Sequence, residues 1–321
     1  MSFRVLKAFV SMFVGVVVCM LAGQVAAQAP TFTRQEDVIY GRKFGTALTM
    51  DVFTPKSGAN GAAVIWVVSG GFFSSHENIN PAVAKPLLAH GYTVFAVVHG
   101  SQPRYQIPEI IQDMNRSVRF IRHHAKDYGI DPNRIGITGG SAGGHLSLML
   151  ATAGGKGDQA AKDPIDRESS RIQAVACFFP PTDFLNWGKP GKELLHAVDH
   201  EPRYRPSFDY RERDPKTNLW ERITDTAKLR QITHDISPIY SVTPETPPTF
   251  IIHGDKDAVV PLQQSEIFVA KLKEAGVEAK LVVKPGAGHG WPDLIKDVAQ
   301  LVDWFDTHLN KVASATSKGN P

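Results

Sequence analysis

Arg134-Ile135-Gly136-Ile137-Thr138-Gly139-Gly140-Ser141-Ala142-Gly143-Gly144-His145-Leu146-Ser147-Leu148-Met149-Leu150 is the stretch that decides the fold. Its opening residues form a short apolar run rich in β-branched side chains, as a strand buried on both faces requires. From His145 onward the pattern is that of an apolar helix. One serine sits between them, flanked by glycines. Gly-x-Ser-x-Gly between a strand and a helix is a sharp turn whose strained backbone lifts the hydroxyl above the sheet. Gly139 and Gly143 lack side chains, so strand and helix can approach closely there. The N–H of Ala142, at the helix start, points where an oxyanion would form. A glycine-rich phosphate loop is disfavoured, because the chain has no Gly-Lys-[Ser/Thr] and no Gly-x-Gly-x-x-Gly.

Outward from this turn, continuous apolar runs at 64–68, 93–98, 174–179, 249–252 and 280–283 read as further strands covered on both sides. Helical spacing runs over 110–128, with Gly129 as a stop, over 265–274, ended by Gly276, and over 292–309. Residues 36–40 and 47–53 read as an antiparallel pair at the sheet edge. The sum is an α/β chain, a mostly parallel central sheet with helices on both faces. One segment breaks the rhythm. Residues 184–247 contain 20 charged side chains in 64 positions, about 31% against 21% for the chain, together with Trp187, Tyr204, Phe208, Tyr210 and Trp220. A connection this long is expected to be a helical insertion, either a functional lid or a solvated excursion.

A serine needs a base and an orienting acid before it is a nucleophile. Asp257 follows the run Phe250-Ile251-Ile252-His253-Gly254-Asp255-Lys256, and His289 lies in Pro285-Gly286-Ala287-Gly288-His289-Gly290-Trp291. Both loops leave the carboxyl ends of strands, the rim where sites assemble on a parallel sheet. Asp183, in Pro180-Pro181-Thr182-Asp183-Phe184, follows a strand too and is the alternative acid. Asp255 is expected to shape its own turn. His145 reads as a packed side chain, His253 as a brace for the acid loop, and the adjacent His123 and His124 as a solvated face. Phe73, His99, Trp187 and Trp291 are candidate pocket residues; Trp291 could equally pack under the last helix. No His/Glu helix pair or Cys/His cluster points to a metal, and no cofactor is expected.

Taken together, these motifs resemble the α/β-hydrolase family. Within it the chain is similar to the esterases carrying Gly-Gly-Ser-Ala-Gly-Gly-His, among them hormone-sensitive-lipase-like enzymes and carbohydrate acyl esterases. The likeness runs from about residue 64 to residue 309. It implies Ser141 as nucleophile, His289 as general base and Asp257 as orienting acid, in the family's chain order. It implies an oxyanion hole of backbone N–H groups from Ala142, Gly71 and Phe72. Relatives carry His-Gly-Gly-Gly or His-Gly-Gly-Ala where this chain has Ser69-Gly70-Gly71-Phe72-Phe73. That departure bears on the loop's shape and the acyl pocket, since Phe72 needs room and a bracing imidazole is replaced by Ser69. The implied function is a serine ester hydrolase acting on short-chain or carbohydrate-linked acyl esters. A peptidase of the prolyl-oligopeptidase type and a non-catalytic binding protein on the same scaffold are the alternatives.

Composition narrows the class without choosing it. The 321 residues carry a formal charge of +3 and two Cys, which excludes a nucleic-acid footprint, a disulfide scaffold and a four-thiolate zinc site. Residues 1–27 read as a signal peptide: Arg4 and Lys7 precede an apolar run, and Val25-Ala26-Ala27 offers small residues for cleavage. Its loss would remove both cations and Cys19, leaving a near-neutral chain whose one thiol, Cys177, lies in an apolar run. The expected organisation is a single catalytic domain over 28–312 and a disordered tail over 313–321. The expected location is periplasmic or secreted, with no stable membrane insertion after cleavage. An ester substrate is the expected partner; the oligomeric state is left open.

Overall fold

The strand that ends at Ser141 lies near the middle of an eight-stranded sheet. In this computed structural model, which describes residues 31–195 and 205–310, the order is β1-β2-β4-β3-β5-β6-β9-β10. Strands β1 (Phe32–Lys43) and β2 (Thr46–Pro55) form an antiparallel pair at one edge. Strand β4 (Thr93–Val97) pairs antiparallel with β2 and parallel with β3 (Ala63–Val67). From there β5 (Ile135–Thr138), β6 (Ala174–Phe178), β9 (Thr249–Gly254) and β10 (Ala279–Lys284) run parallel. The leader, the tail beyond 310 and Tyr204 fall outside the described residues.

Every residue of β3, β4, β5, β6 and β9 is buried, as continuous apolar runs require of strands sandwiched between helices. Burying each Val, Ile or Phe contributes about 1.5–3 kcal/mol. Strand β10 corrects one expectation. It is the far edge, and Val283 is 40% exposed, because only one neighbour covers it.

Two apolar layers flank the sheet. One gathers Ile65, Ile137 and Val175 beneath α2 (Ile107–His123), α3 (Ala142–Ala153) and α5 (Gln263–Glu274). The other gathers Trp66, Ala176 and Ile252 beneath α1 (Pro81–Ala89) and α6 (Leu294–Leu309). Helix α2 starts three residues before its expected position. The Gln106 N–H donates to Glu109 at 2.9 Å in a capping box, and Pro108 occupies the first turn.

The segment 184–247 is only partly helical in its described residues. A single turn, Arg205–Phe208, leads to a hairpin of β7 (Arg211–Arg213) and β8 (Trp220–Arg222), then to α4 (Thr226–Asp235). Asp225 starts α4 by accepting the N–H groups of Ala227 and Lys228. Phe184, Trp187, Phe208 and Tyr210 are buried in the main core, so this segment is packed onto the sheet rather than solvated throughout. No helix of the described residues is long and apolar enough to cross a membrane.

Candidate active site

Ser141 has φ 54° and ψ −120°, a conformation that costs a non-glycine residue about 1–3 kcal/mol. The surrounding backbone fixes it. The Ser141 N–H donates to Phe178 O at 3.0 Å, and the Ser141 carbonyl accepts the His145 N–H at 2.9 Å. The flanking glycines are obligatory for a steric reason. A Cβ on Gly139 would lie 2.5 Å from the Gly143 carbonyl carbon, and one on Gly143 would lie 2.8 Å from Val67 O. Strand, turn and helix thus touch backbone to backbone.

Two loops from the same rim reach this serine. His289 Nε2 lies 2.9 Å from Ser141 Oγ, and His289 Nδ1 lies 2.8 Å from Asp257 Oδ2. The Asp257 side chain is fully buried. Burial, the largest influence, pushes its carboxyl up. Contacts with His253 and His289 and the N–H groups of Val260 and Val259 outweigh it and hold the group well below the usual carboxylate range. Asp257 is therefore ionised at neutral pH and keeps the Nδ1 proton of His289 in place. His253 braces this acid from below: its Nε2 lies 3.3 Å from Asp257 Oδ2 and 2.9 Å from Val260 O, and Ser265 Oγ sits 2.7 Å from its Nδ1. The two loops are also laced together. Asp255 reaches across to accept the Gly286 N–H at 2.7 Å rather than closing only its own turn, and Lys256 N–H donates to Ala287 O.

Asp183 stands apart from this line. Its carboxylate accepts the N–H groups of Leu185 and Asn186, the Asn186 amide and the Tyr240 hydroxyl, which occupies it in turning the chain. Phe179 was not signalled by the sequence. It has φ 35°, its N–H is held by Ile252 O at 2.9 Å, and its ring centroid lies 4.6 Å from that of His289. It forms the shelf on which the imidazole rests.

The turn after β3 is a two-residue hairpin. Gly70 and Phe73 exchange both backbone hydrogen bonds, at 3.0 and 2.9 Å, and the central Gly71 and Phe72 both have positive φ. This geometry uses the N–H groups of Gly70 and Phe73 and leaves those of Gly71 and Phe72 without a partner among the described residues. The turn lies against the start of α3: the Phe72 ring meets His145 edge-on at 5.2 Å. Phe72 is buried, which answers its need for room.

The imidazole that the resemblance leads one to expect within this loop comes here from just past the end of β4. His99 Nε2 lies 2.8 Å from Ser69 Oγ, and its Nδ1 lies 2.7 Å from Gly100 O. Burial lowers the His99 pKa to about 4, so the ring is neutral and accepts the serine hydroxyl. His99 is accordingly a buried brace and not a pocket wall. Trp187 is buried as well, stacked on Phe184 at 5.9 Å. Trp291 donates to Asp297 of α6 at 2.6 Å and meets Phe178 and Phe179 edge-on, the packing alternative. Phe73 is 46% exposed. His145 is buried on α3, with Nε2 2.6 Å from Ile236 O. Burial drives the Cys177 thiol far up, leaving it inert.

One cluster among the described residues has metal-ligand spacing, Glu36, Asp51 and His76. The Arg34 guanidinium already fills it, with Nε 2.7 Å from Asp51 and 3.2 Å from Glu36, so a fixed cation stands where an ion would.

A family model described as BD-FAE matches residues 50–272. The chain is 28% identical over 249 residues to the probable carboxylic ester hydrolase LipM of Mycobacterium tuberculosis, covering 76% of this chain and 52% of that protein. It is 30% identical over 213 residues to esterase LipQ of the same organism, covering 65% and 46%. The chain thus spans about half the length of these curated relatives. Among solved structures, an acetyl ester-xyloside bifunctional hydrolase from Caldicellulosiruptor lactoaceticus superposes with a TM-score of 0.67 at 25% identity, covering 84% of this chain and 95% of that one. A truncated carbohydrate esterase from gut microbiota gives a TM-score of 0.64 at 27% identity, covering 86% and 96%.

Proposed function

The chain belongs to the BD-FAE family of α/β hydrolases, and from that membership we propose that it is a serine carboxylic ester hydrolase. The observation that carries this reading is the unbroken line from Ser141 through His289 to Asp257, at 2.9 and 2.8 Å. Ser141 attacks the ester carbonyl while His289 Nε2 takes its proton. Asp257 stabilises the imidazolium that forms and fixes its orientation. The N–H groups of Gly71, Phe72 and Ala142 receive the developing oxyanion. Each such donor contributes about 10²–10³ in kcat. The imidazolium then protonates the leaving alcohol, and water, activated by the same histidine, releases the acid from the acyl-enzyme.

The substrate reading is an acetyl or feruloyl ester on a carbohydrate. It is supported by two structural neighbours, an acetyl ester-xyloside bifunctional hydrolase and a carbohydrate esterase. The leader read at residues 1–27 would send the enzyme outside the cytoplasm, where such esters occur in polymers.

Ser141→Ala is expected to remove at least about 10⁴-fold of the turnover of p-nitrophenyl acetate while leaving the thermal unfolding cooperative. Retained turnover would sink the nucleophile assignment. A chain-length series of p-nitrophenyl esters, run beside acetylated xylan and methyl ferulate, tests the substrate. Preference for acyl chains beyond about ten carbons contradicts the carbohydrate reading, since such chains need a long apolar channel. Aminoacyl p-nitroanilides in the same series separate an esterase from a peptidase.

A further inference from the structure

Beside the oxyanion turn lies a cleft of about 560 Å³ that none of the reacting groups lines. Its size falls in the range of small-molecule sites, roughly 300–1,000 Å³. Two of its walls are tied to the oxyanion turn. Gln102 N–H donates to Phe72 O at 3.2 Å, and the chain runs on through Pro103 and Arg104 into the cleft. Ser207 Oγ donates to Gly71 O at 3.1 Å, and Pro206 beside it lines the opposite wall.

The lining combines exposed rings with a charged rim. Trp220 is 63% exposed, the only one of the five tryptophans to stand so far into solvent. Phe44, at the tip of the β1–β2 hairpin, is 74% exposed and has φ 45°. Its carbonyl is held by Arg104 at 2.7 Å. The two-residue turn Phe44-Gly45 accounts for that φ, but not for a large apolar ring presented to solvent, which contributes nothing to the core. Tyr105 forms a rigid floor, its hydroxyl 2.7 Å from Thr46 Oγ1 and its ring carrying Lys43 at 4.0 Å.

The rim charges balance, with Arg104 and Arg211 against Glu109 and Asp209. Asp209 and Arg211 are paired with each other at 2.9 Å. An anion would meet the two carboxylates, and an acyl chain would have to displace water from four charged groups. Flat apolar rings beside planar hydrogen-bonding groups fit a neutral molecule with C–H faces and hydroxyl edges. We propose that this cleft is a subsite for a neutral glycan chain, holding the polymer that carries the ester at a distance from the scissile bond. This inference rests on the carbohydrate-ester reading above.

The test reads binding without turnover, because unsubstituted xylohexaose contains no ester. In a calorimetric titration of the full chain, xylohexaose is expected to bind. Trp220→Ala and Phe44→Ala are each expected to weaken it about tenfold. Both rings are exposed, so unchanged thermal unfolding of the variants checks that the fold is intact. Hexagalacturonate, the charged counterpart, is expected to bind at least tenfold more weakly than xylohexaose. Absence of xylohexaose binding, variants that bind like the parent chain, or preference for the charged chain each overturns the subsite. Failure of the esterase reading would appear separately, as absent turnover of p-nitrophenyl acetate.

Discussion

The serine turn and the Gly70–Phe73 turn, the proposed oxyanion turn, lie against the same end of α3, yet they are held in place by different means. The serine turn is fixed by backbone sterics. Gly139, Gly143 and the end of β3 are in contact with no side chain between them, and the strain at Ser141 is absorbed by main-chain hydrogen bonds. The oxyanion turn closes on its own Gly70–Phe73 backbone pair, but side-chain hydroxyls and an imidazole fix how it sits on the fold. His99 holds Ser69, Ser74 Oγ donates to Val68 O, and Ser207 holds Gly71 O. A turn locked by its own backbone fails as a unit. A turn locked by separate side chains loosens in steps.

The largest effect is therefore expected from a single methyl group in the serine turn. Gly139→Ala places a Cβ against backbone that cannot rotate away, costing about 2–3 kcal/mol or more in stability. Esterase turnover should fall at least about 100-fold, since small misplacement of a reacting group is costly. Denaturant unfolding and p-nitrophenyl acetate kinetics read both. A variant with unchanged stability would erase the distinction between the two turns.

A second effect is a pH dependence carried by two buried imidazoles. Burial lowers His99 and His145 from an ordinary 6.5 to about 4. A folded-state pKa below the unfolded value means that the unfolded chain takes up the proton first. The stability these rings contribute is fully present above pH 6.5 and is lost as pH falls toward 4, by about 3 kcal/mol for each ring. Asp257, held low, keeps most of its own contribution through that window and loses it as pH falls below the ordinary carboxylate value of 3.8. His99→Phe should remove about half of the stability lost between pH 7 and pH 4.5, measured by urea unfolding at both pH values. An unchanged slope would contradict the buried, neutral brace.

The smallest effect isolates one brace at neutral pH. His99→Phe leaves Ser69 without its acceptor and should lower kcat about tenfold, the equivalent of one hydrogen bond of about 1.4 kcal/mol. KM should change little, because the loss falls on oxyanion stabilisation. A drop as large as that of Gly139→Ala would show that both turns are locked alike.

This contrast also explains what the sequence discloses. The serine turn is legible because its constraints are local: a β-branched strand, two glycines at fixed spacing and a helix within 17 residues. Asp257 and His289 are legible because each follows a strand ending on one rim. The His99–Ser69 brace is not, since it joins residues 30 apart through tertiary contact alone. Phe179 escapes notice because nothing in an apolar run marks a non-glycine residue for positive φ. Helix α1 carries Pro86 in its interior, and that proline masks the helical pattern around it. The β7–β8 hairpin is built from Arg211-Glu212-Arg213 and Trp220-Glu221-Arg222, which lack the alternation that signals a strand.

Strained backbone at Ser141 and the His289 imidazole held by Asp257 are proposed to make Ser141 the nucleophile. A fluorophosphonate probe followed by peptide mapping in the mass spectrometer tests it most directly. One adduct is expected on the folded protein, located on Ser141, lost in Ser141→Ala and formed far more slowly in His289→Ala. An active protein that acquires no adduct, or one that carries it on another residue, would contradict it.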